Sequence, residues 1–220
     1  MAELIVIRHG QASFGSAEAG GYDRLSAQGE TQSRMVGETL KAAGIRPDRL
    51  ITGSLERQKK TLEAMGFDGD VEEHAGFNEY DFHDLLHVRF GGAVPDNVVK
   101  DRRDHFRTLR DTLKDWQAGG LAGASESWSD YTARVEAARC HATRPGADCV
   151  LAVSSGGTIG RLVAACLQAP DDVMITLNLQ IKNTSITRFI FNDKGRFYLH
   201  EFNATPHFLN SDAARHLTYS

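Results

Sequence analysis

The sequence predicts a three-layer α/β/α sandwich around a mixed, mostly parallel sheet. Two observations lead to this prediction. Short apolar runs that are typical of buried strands alternate with helical segments, and a hairpin pattern follows near the end of the chain. At 220 residues the chain is long enough for one large domain or two small ones. We expect a single domain over 1–220, with a mainly helical insertion at about 76–145.

The strand and helix signals of the first half alternate regularly. Strands are predicted where short apolar or β-branched runs occur, at 4–7, 50–52 and 71–75. Helices are predicted to begin near a capping serine and to end at a glycine, from Ser26 to Gly44 and from Ser54 to Gly66. This alternation is typical of parallel sheets.

The second half begins with helices and ends with strands. Its predicted elements are, in order, helices over 97–117 and 125–143 joined by a flexible segment at 119–123, a strand at 149–153, a tight turn at 154–157, a helix over 158–168 and a hairpin of residues 185–191 and 196–202. The final hairpin makes the predicted sheet a mixed one.

The composition excludes several classes of protein. With 25 basic and 29 acidic residues the net charge is −4, so the chain lacks the overall positive charge of a nucleic-acid binder, although a local basic pocket is allowed. Three cysteines without a CxxC pair favour neither a disulfide framework nor a thiolate zinc site. No apolar run suffices to span a membrane, and the run before Arg8 is too short for a signal peptide. We therefore expect a cytoplasmic protein.

Three polar clusters follow predicted strands. Arg8–Gly10 follows the first strand, Ser54 and Arg57 follow the second, and Ser154–Gly157 follows the strand at 149–153. Each cluster alone is better explained by a structural role. Because sites in open α/β sheets lie beyond the carboxyl ends of strands, the clusters are expected to converge. Two guanidinium groups, an imidazole and a helix N-terminus would then form a pocket suited to a phosphoryl group.

His9 is the candidate nucleophile in such a pocket. Neutral imidazole can attack phosphorus near pH 7, and two neighbouring cations should keep its pKa low. Glu79 is the candidate proton donor for the leaving oxygen, since burial beside a phosphate dianion would raise the pKa of its carboxyl. The alternative for Glu79 is an exposed acidic residue in a loop.

Several segments match known motifs in a fixed order along the chain. The segments are Ile7–Gln11, which contains the triplet RHG, Asp23–Gln32, which begins with DRLS, Ser54–Thr61, Val153–Gly157 and Asn183–Ile186. In the second segment, Gly29 and Gln32 also match. Together these segments resemble the histidine phosphatase superfamily, which includes the cofactor-dependent phosphoglycerate mutases. The triplet RHG alone is a weak signal, but the ordered set from residue 4 to about 191 is highly specific. The resemblance implies a phosphoglycerate mutase-like fold.

The resemblance also implies roles for the matching residues. His9 would become phosphorylated and Glu79 would be the general acid. The phosphate would be bound by Arg8, Arg57, Ser155 and Gly156, with Gln11 at the pocket rim. The implied reaction is metal-independent hydrolysis of a small phosphomonoester, with no cofactor.

Two positions depart from the family pattern. Ser155 stands where the family usually has a second histidine, and Gly15 stands where asparagine is common. Loss of one transition-state donor costs on the order of 10²–10³ in rate, so we expect weakened or altered catalysis rather than none. His207 is a candidate for supplying the missing contact. We interpret Ser155 as a feature of a subgroup.

Three unrelated enzyme classes fit less well. A serine hydrolase built on Ser155 would need glycine at position 153, where valine stands. A zinc enzyme using His83 and His87 lacks the glutamate of HExxH and an evident third ligand. A dinucleotide site at Gly156–Gly160 comes late in the chain and has no suitably placed acidic residue.

Two further alternatives share the phosphate pocket. A protein that binds a phosphorylated ligand and turns it over weakly is favoured by Ser155 and Gly15. A mutase would have to retain its phosphohistidine and a bisphosphorylated primer. The intact nucleophile, acid and arginines favour a phosphatase.

The sequence leaves the substrate open. Loops and the insertion over 76–125 should determine specificity. Candidate lining residues there are Phe82, His83, Arg89, Arg102 and Arg103. We expect no nucleic-acid or membrane partner, and a homodimer is one assembly that the sequence allows.

Overall fold

A six-stranded sheet forms the middle layer of the molecule, and a computed structural model describes residues 1–13, 23–95, 98 and 102–219. Its strands are β1 (Ala2–Arg8), β2 (Arg49–Thr52), β3 (Val71–Glu73), β4 (Cys149–Ser154), β5 (Ile186–Phe191) and β6 (Phe197–Ala204). They lie in the order β3-β2-β4-β1-β5-β6, and three of the pairings are parallel. β5 runs antiparallel to both of its neighbours. The mixed, mostly parallel sheet is confirmed.

Eight α-helices occur in the described part of the chain. They are α1 (Ala27–Ala42), α2 (Glu56–Met65), α3 (Phe82–Arg89), α4 (Arg102–Gln117), α5 (Trp128–Ala142), α6 (Gly156–Cys166), α7 (Val173–Asn178) and α8 (Ser211–Ala214). Helices α3, α4 and α5 fall within the segment predicted to be mainly helical. The single-domain organisation over 1–220 stays a prediction.

Strand β1 shows how the sheet separates two helical layers. Its alternating side chains are fully buried on both faces, with Leu4 and Val6 in one core and Ile5 and Ile7 in the other. The first core includes side chains of α4, α5, α6 and α7, whereas α1 and α2 contribute to the second. This arrangement gives the three layers that the sequence predicts.

Several helices begin at a different residue from the predicted one. Ser26 caps α1 as expected, accepting a hydrogen bond from the Gly29 amide. Helix α2 begins at Glu56 rather than at Ser54, because the Asp23 carboxylate, distant in sequence, accepts from the Glu56 amide at 3.1 Å. Helix α5 is capped by Ser127 rather than Ser125. The α6 helix begins at Gly156, two residues earlier than predicted.

The C-terminal segment returns to the carboxyl end of β1. Thr218 hydrogen-bonds Asn183 through both backbone and side chain, at 3.1 and 3.0 Å. Gln32 on α1 donates to Thr218 Oγ1 and to the His216 carbonyl, each at 2.7 Å. This polar tail therefore forms part of the framework around the strand ends. None of the described helices is long and apolar enough to cross a membrane.

Candidate active site

Arg8 and His9 lie where β1 ends beside β4. Arg8 pairs with Ser154 in the parallel register, and the His9 amide donates to the Ser154 carbonyl at 2.9 Å. The residue after Ser154 is Ser155, so the two strand ends bring the predicted clusters together. Arg57, in the first turn of α2, reaches the same place.

His9 is held as a neutral imidazole with a defined tautomer. Its Nδ1 lies 2.7 Å from the Gly10 carbonyl oxygen, and because a carbonyl only accepts, Nδ1 carries the hydrogen. The lone pair of Nε2 accepts from Arg57 Nε at 3.2 Å. Burial and the charges of Arg57 and Arg8 hold the pKa of His9 well below its ordinary value. Nε2 is thus the atom available for nucleophilic attack.

The two arginines are fixed by contacts from distant segments. Arg57, only 6% exposed, donates from a terminal nitrogen to Asp23 at 3.0 Å. Asp23 also accepts from the first amides of α2, so one carboxylate positions both the helix and the guanidinium. Arg8, 5% exposed, donates to the Ile181 carbonyl. Both guanidinium groups line one cavity.

Glu79 lies against the N-terminus of α6. Its carboxylate accepts from the Gly157 amide at 2.9 Å and from the Tyr80 amide at 3.3 Å. Burial raises the pKa of the Glu79 carboxyl, while these amides and the two arginines oppose the shift. A methyl group at Gly157 would lie 2.3 Å from Glu79 Oε1, so this close approach requires glycine.

Arg134 on α5 hydrogen-bonds the backbone of the loop that carries Glu79. It donates to the backbone carbonyls of Ala75, Asn78 and Glu79 at 3.2, 2.8 and 3.2 Å. Glu126 accepts two hydrogen bonds from the same guanidinium, which also lies over the Tyr131 ring at 4.7 Å. Arg134 could not be predicted from the sequence, since no local pattern indicates a contact between residues so far apart.

Ser155 and Gly156 lie at the start of α6. Ser155 is fully buried, and its hydroxyl accepts from Gln58 Nε2 at 2.9 Å. This bond leaves the hydroxyl hydrogen of Ser155 for another acceptor. Gly156 lies against the Arg8 guanidinium, where an added methyl group would be 3.6 Å from Cζ. Gln58, which also donates to the Phe77 carbonyl, is a second residue that the sequence analysis missed.

The rim of the site is built from close backbone contacts. Gln11 lines the cavity, and its amide donates to Gln32 on α1 at 2.9 Å. A methyl group at Gly10 would lie 2.5 Å from the Gly29 carbonyl oxygen, which explains the glycine of RHG. Asn183, whose side chain donates to the His9 carbonyl at 3.3 Å, lies at the same rim.

A cavity of about 540 Å³ opens beside the two arginines and Glu79. Among the predicted specificity residues, Phe82 and His83 line it. Arg89 instead pairs with Asp115, and Arg103 is not part of the described lining. The side chain of Arg102 and all of Gly15 lie outside the described residues.

His207 hydrogen-bonds Thr184, and the contact suggested for it from the sequence stays a prediction. Its Nε2 lies 3.0 Å from Thr184 Oγ1, and it is absent from the described lining of the cavity. Burial lowers the pKa of His207 to about 4. His207 therefore contacts the segment just before β5. This segment is joined to the end of β1, because the Thr184 amide donates to the Arg8 carbonyl.

The alternative chemistries find little support in this geometry. Ser155 bonds the Gln58 amide rather than a histidine, so it lacks the base that a serine nucleophile needs. His83 lines the cavity, whereas the ring of His87 lies against Gly92. These contacts do not distinguish a phosphatase from a mutase or from a protein that binds a phosphorylated ligand and turns it over weakly.

Comparisons with known proteins agree with this arrangement. The sequence profile of the histidine phosphatase superfamily (branch 1) matches residues 4–205. A relative named "Probable phosphoglycerate mutase GpmB", from Salmonella paratyphi B, is 27% identical over 199 residues, covering 88% of this chain and 86% of the relative.

Two solved structures share the fold. The phosphoserine phosphatase from Entamoeba histolytica, a mutant in complex with phosphoserine, is 23% identical with a TM-score of 0.62, covering 95% of this chain and 100% of that one. A mycobacterial glucosyl-3-phosphoglycerate phosphatase is 24% identical with a TM-score of 0.64, covering 93% and 100%. At these identities the likeness shows the fold alone.

Proposed function

The chain belongs to the histidine phosphatase superfamily, and we propose that it is a metal-independent phosphatase that hydrolyses a phosphomonoester through a phosphohistidine at His9. One observation carries this proposal: the Nε2 lone pair of the neutral His9 accepts from Arg57, and Arg57 lines one cavity together with Arg8 and Glu79. A nucleophile, an anion site and a proton donor are thereby in one place.

The first step transfers the phosphoryl group to His9. Arg8 and Arg57 bind the phosphate oxygens, which replace His9 as the acceptor of the Arg57 Nε hydrogen bond and release the Nε2 lone pair. Nε2 forms a bond to phosphorus as the ester P–O bond breaks. Glu79 gives its proton to the departing oxygen. The Gly10 carbonyl, which accepts from Nδ1, stabilises the positive charge that develops on the ring.

The second step returns the enzyme to its starting state. Glu79, now a carboxylate, takes a proton from water, and the water oxygen forms a bond to phosphorus. The P–Nε2 bond breaks, and its electron pair restores neutral His9. Inorganic phosphate leaves, and Glu79 again carries a proton.

Three further residues are proposed to contact the phosphate. Ser155 donates its hydroxyl hydrogen, in an orientation set by the bond that it accepts from Gln58. The amide of Gly156 contributes the first N–H of α6, and Gln11 closes the rim. Serine in place of a second histidine supplies a neutral donor, so we expect a slower phosphoryl transfer than two histidines would give.

A mutase is the second candidate, favoured by the relative whose name includes phosphoglycerate mutase. It would use the same first step but return the phosphoryl group to an alcohol instead of water. The mutase would need to bind the carboxylate of phosphoglycerate beside the phosphate pocket. Measuring free phosphate release from 3-phosphoglycerate, against its conversion to the 2-isomer, separates the two reactions.

The proposal is tested by hydrolysis of p-nitrophenyl phosphate in EDTA at pH 5–8. We expect wild-type turnover, none above background for His9→Ala, and wild-type turnover for the matched control His200→Ala, whose ring is exposed on β6. Full activity of His9→Ala, or loss of wild-type activity in EDTA, would contradict the proposal.

A further inference from the structure

We infer that the leaving group of the substrate is an uncharged, largely apolar alcohol or phenol, bound in the cavity beside the phosphate pocket. This inference rests on the proposed function for the position of the phosphate. It concerns the remainder of the molecule, which the catalytic residues do not determine.

The walls of the cavity are mostly apolar, and four parts of the chain supply most of their apolar side chains. The α3 region and α4 supply aromatic and aliphatic side chains, the segment after α7 supplies two aliphatic ones, and the C-terminal tail supplies a tyrosine. The main apolar lining residues are Tyr80, Phe82, Phe106, Leu109, Ile181 and Tyr219. A pocket of this composition favours a ligand that buries hydrocarbon surface.

The charges of the described lining are unsuited to a second anionic group. Its always-charged cations are Arg8 and Arg57, both at the phosphate end. The acidic side chains are Glu79 and, farther along the wall, Asp81 at the N-terminus of α3. Among the described lining residues, a carboxylate on the substrate would face Asp81 and find no guanidinium or ammonium partner beyond Arg8 and Arg57, and it would lose hydration on entry.

The one histidine on α4 belongs to the aromatic wall. His105 Nδ1 lies 3.3 Å from the Val98 carbonyl oxygen. Its ring meets those of Phe82 and Phe106 edge-on, each with centroids 5.7 Å apart. These three rings form a surface that suits an alkyl chain or an aromatic ring.

A series of n-alkyl phosphates tests the inference. Ethyl, butyl, hexyl and octyl phosphate have leaving groups of similar basicity, so differences in kcat/KM report burial of the chain. Full burial increases binding about fourfold per methylene. We therefore expect kcat/KM to rise at least about tenfold from ethyl to hexyl phosphate. The matched control, 5-carboxypentyl phosphate, should lose most of that gain.

Two variants locate the effect in the cavity wall. Phe106→Lys places a cation there and should raise the ratio of 5-carboxypentyl to hexyl phosphate turnover about tenfold or more. Phe106→Leu, the matched apolar control, should retain the wild-type preference. An unchanged ratio in folded Phe106→Lys would overturn the assignment of the leaving group to this cavity.

Calorimetric binding of alkylphosphonates separates this inference from the proposed function, because phosphonates are not hydrolysed. Tighter binding of hexylphosphonate than of ethylphosphonate or inorganic phosphate supports the inference even if no ester is turned over. Equal binding of all three, with a flat alkyl series, overturns it while leaving His9-dependent hydrolysis intact. Preference for the carboxylated probe would also overturn it.

Discussion

His9 and Glu79 have pKa values shifted in opposite directions by the same burial. Desolvation disfavours the imidazolium of His9 and the carboxylate of Glu79, and the two arginines add to the first shift. Both shifts widen the pH range in which His9 is neutral and Glu79 is protonated, which is the pair that the proposed phosphoryl transfer uses. For Glu79 the same two arginines oppose the effect of burial, so the two shifts share only the desolvation.

This pairing predicts an acidic pH optimum. As pH falls, kcat/KM should decline only well below 6.5, where His9 of the free enzyme becomes protonated. As pH rises, it should decline through the raised pKa of Glu79. Glu79→Gln should lower kcat about 10²–10⁴-fold and remove the alkaline limb. Initial rates of phosphate release from hexyl phosphate, whose alkoxide leaving group needs a proton, give both profiles, and an alkaline limb that persists in Glu79→Gln would exclude Glu79 as the acid.

Arg134 is expected to act through the position of Glu79. Arg134→Leu removes three hydrogen bonds to the loop that carries the acid. We predict a fall in kcat of about tenfold or more, a displaced alkaline limb and a nearly unchanged inhibition constant for inorganic phosphate, since Arg8 and Arg57 remain. Arg139→Leu, which removes an exposed pair with Glu136 on the same helix, is the control. Equal losses in both variants would indicate general damage to α5.

At the scale of elements, the contact between the Glu79 loop and α6 determines where the acid lies. In the first turn of α6 the Gly157 amide donates to Glu79, and the absence of a side chain at Gly157 allows the approach. Strand β4 places this turn next to the end of β1 through the parallel register. The position of Glu79, the proposed acid, is therefore a property of the strand-to-helix junction rather than of any single residue.

Gly157→Ala should lower the activity of the protein without unfolding it. The added methyl group meets Glu79 Oε1 and the Tyr80 ring, so the acid must move. We predict a loss in kcat of about 10²-fold with phosphate affinity largely retained. Gly123→Ala, whose methyl group would make only ordinary contact with Val88, should behave as wild type. Wild-type kcat in Gly157→Ala would show that the tight contact with Glu79 is not needed.

For the whole molecule, local pattern predicted the strands and the residues at their ends. The apolar run before Arg8 and the turn after Val153 mark the carboxyl ends of two strands. Because these strands are parallel neighbours in the sheet, His9 and Ser155 come close together. The contacts that residues make across long sequence distances were not predicted, although Asp23 stands in one of the matched motifs. Asp23, Gln58 and Arg134 contribute through contacts made only in the folded chain. The cytoplasmic location and the homodimer stay predictions.

Buried histidine also makes the stability of the whole molecule depend on pH. The pKa of His207 is about 4 in the folded chain and near 6.5 when unfolded, so the unfolded chain binds a proton first as pH falls. The free energy of unfolding should therefore decline from about pH 6.5 to 4, by at most roughly 3 kcal/mol from this group. Urea denaturation at several pH values measures the slope. His207→Gln should flatten it, whereas the exposed control His200→Gln should not, and equal slopes in all three proteins would contradict the prediction.

The most direct test of the central claim is a rapid-quench search for the phosphoenzyme. Wild-type protein is mixed with an excess of p-nitrophenyl phosphate, quenched in base, where phosphohistidine survives, and digested for mass spectrometry. We predict one phosphoryl group on the peptide that contains His9, formed as fast as turnover, and none in His9→Ala. Turnover without phosphorylation of His9, or phosphate on another residue at the rate of turnover, would contradict the account.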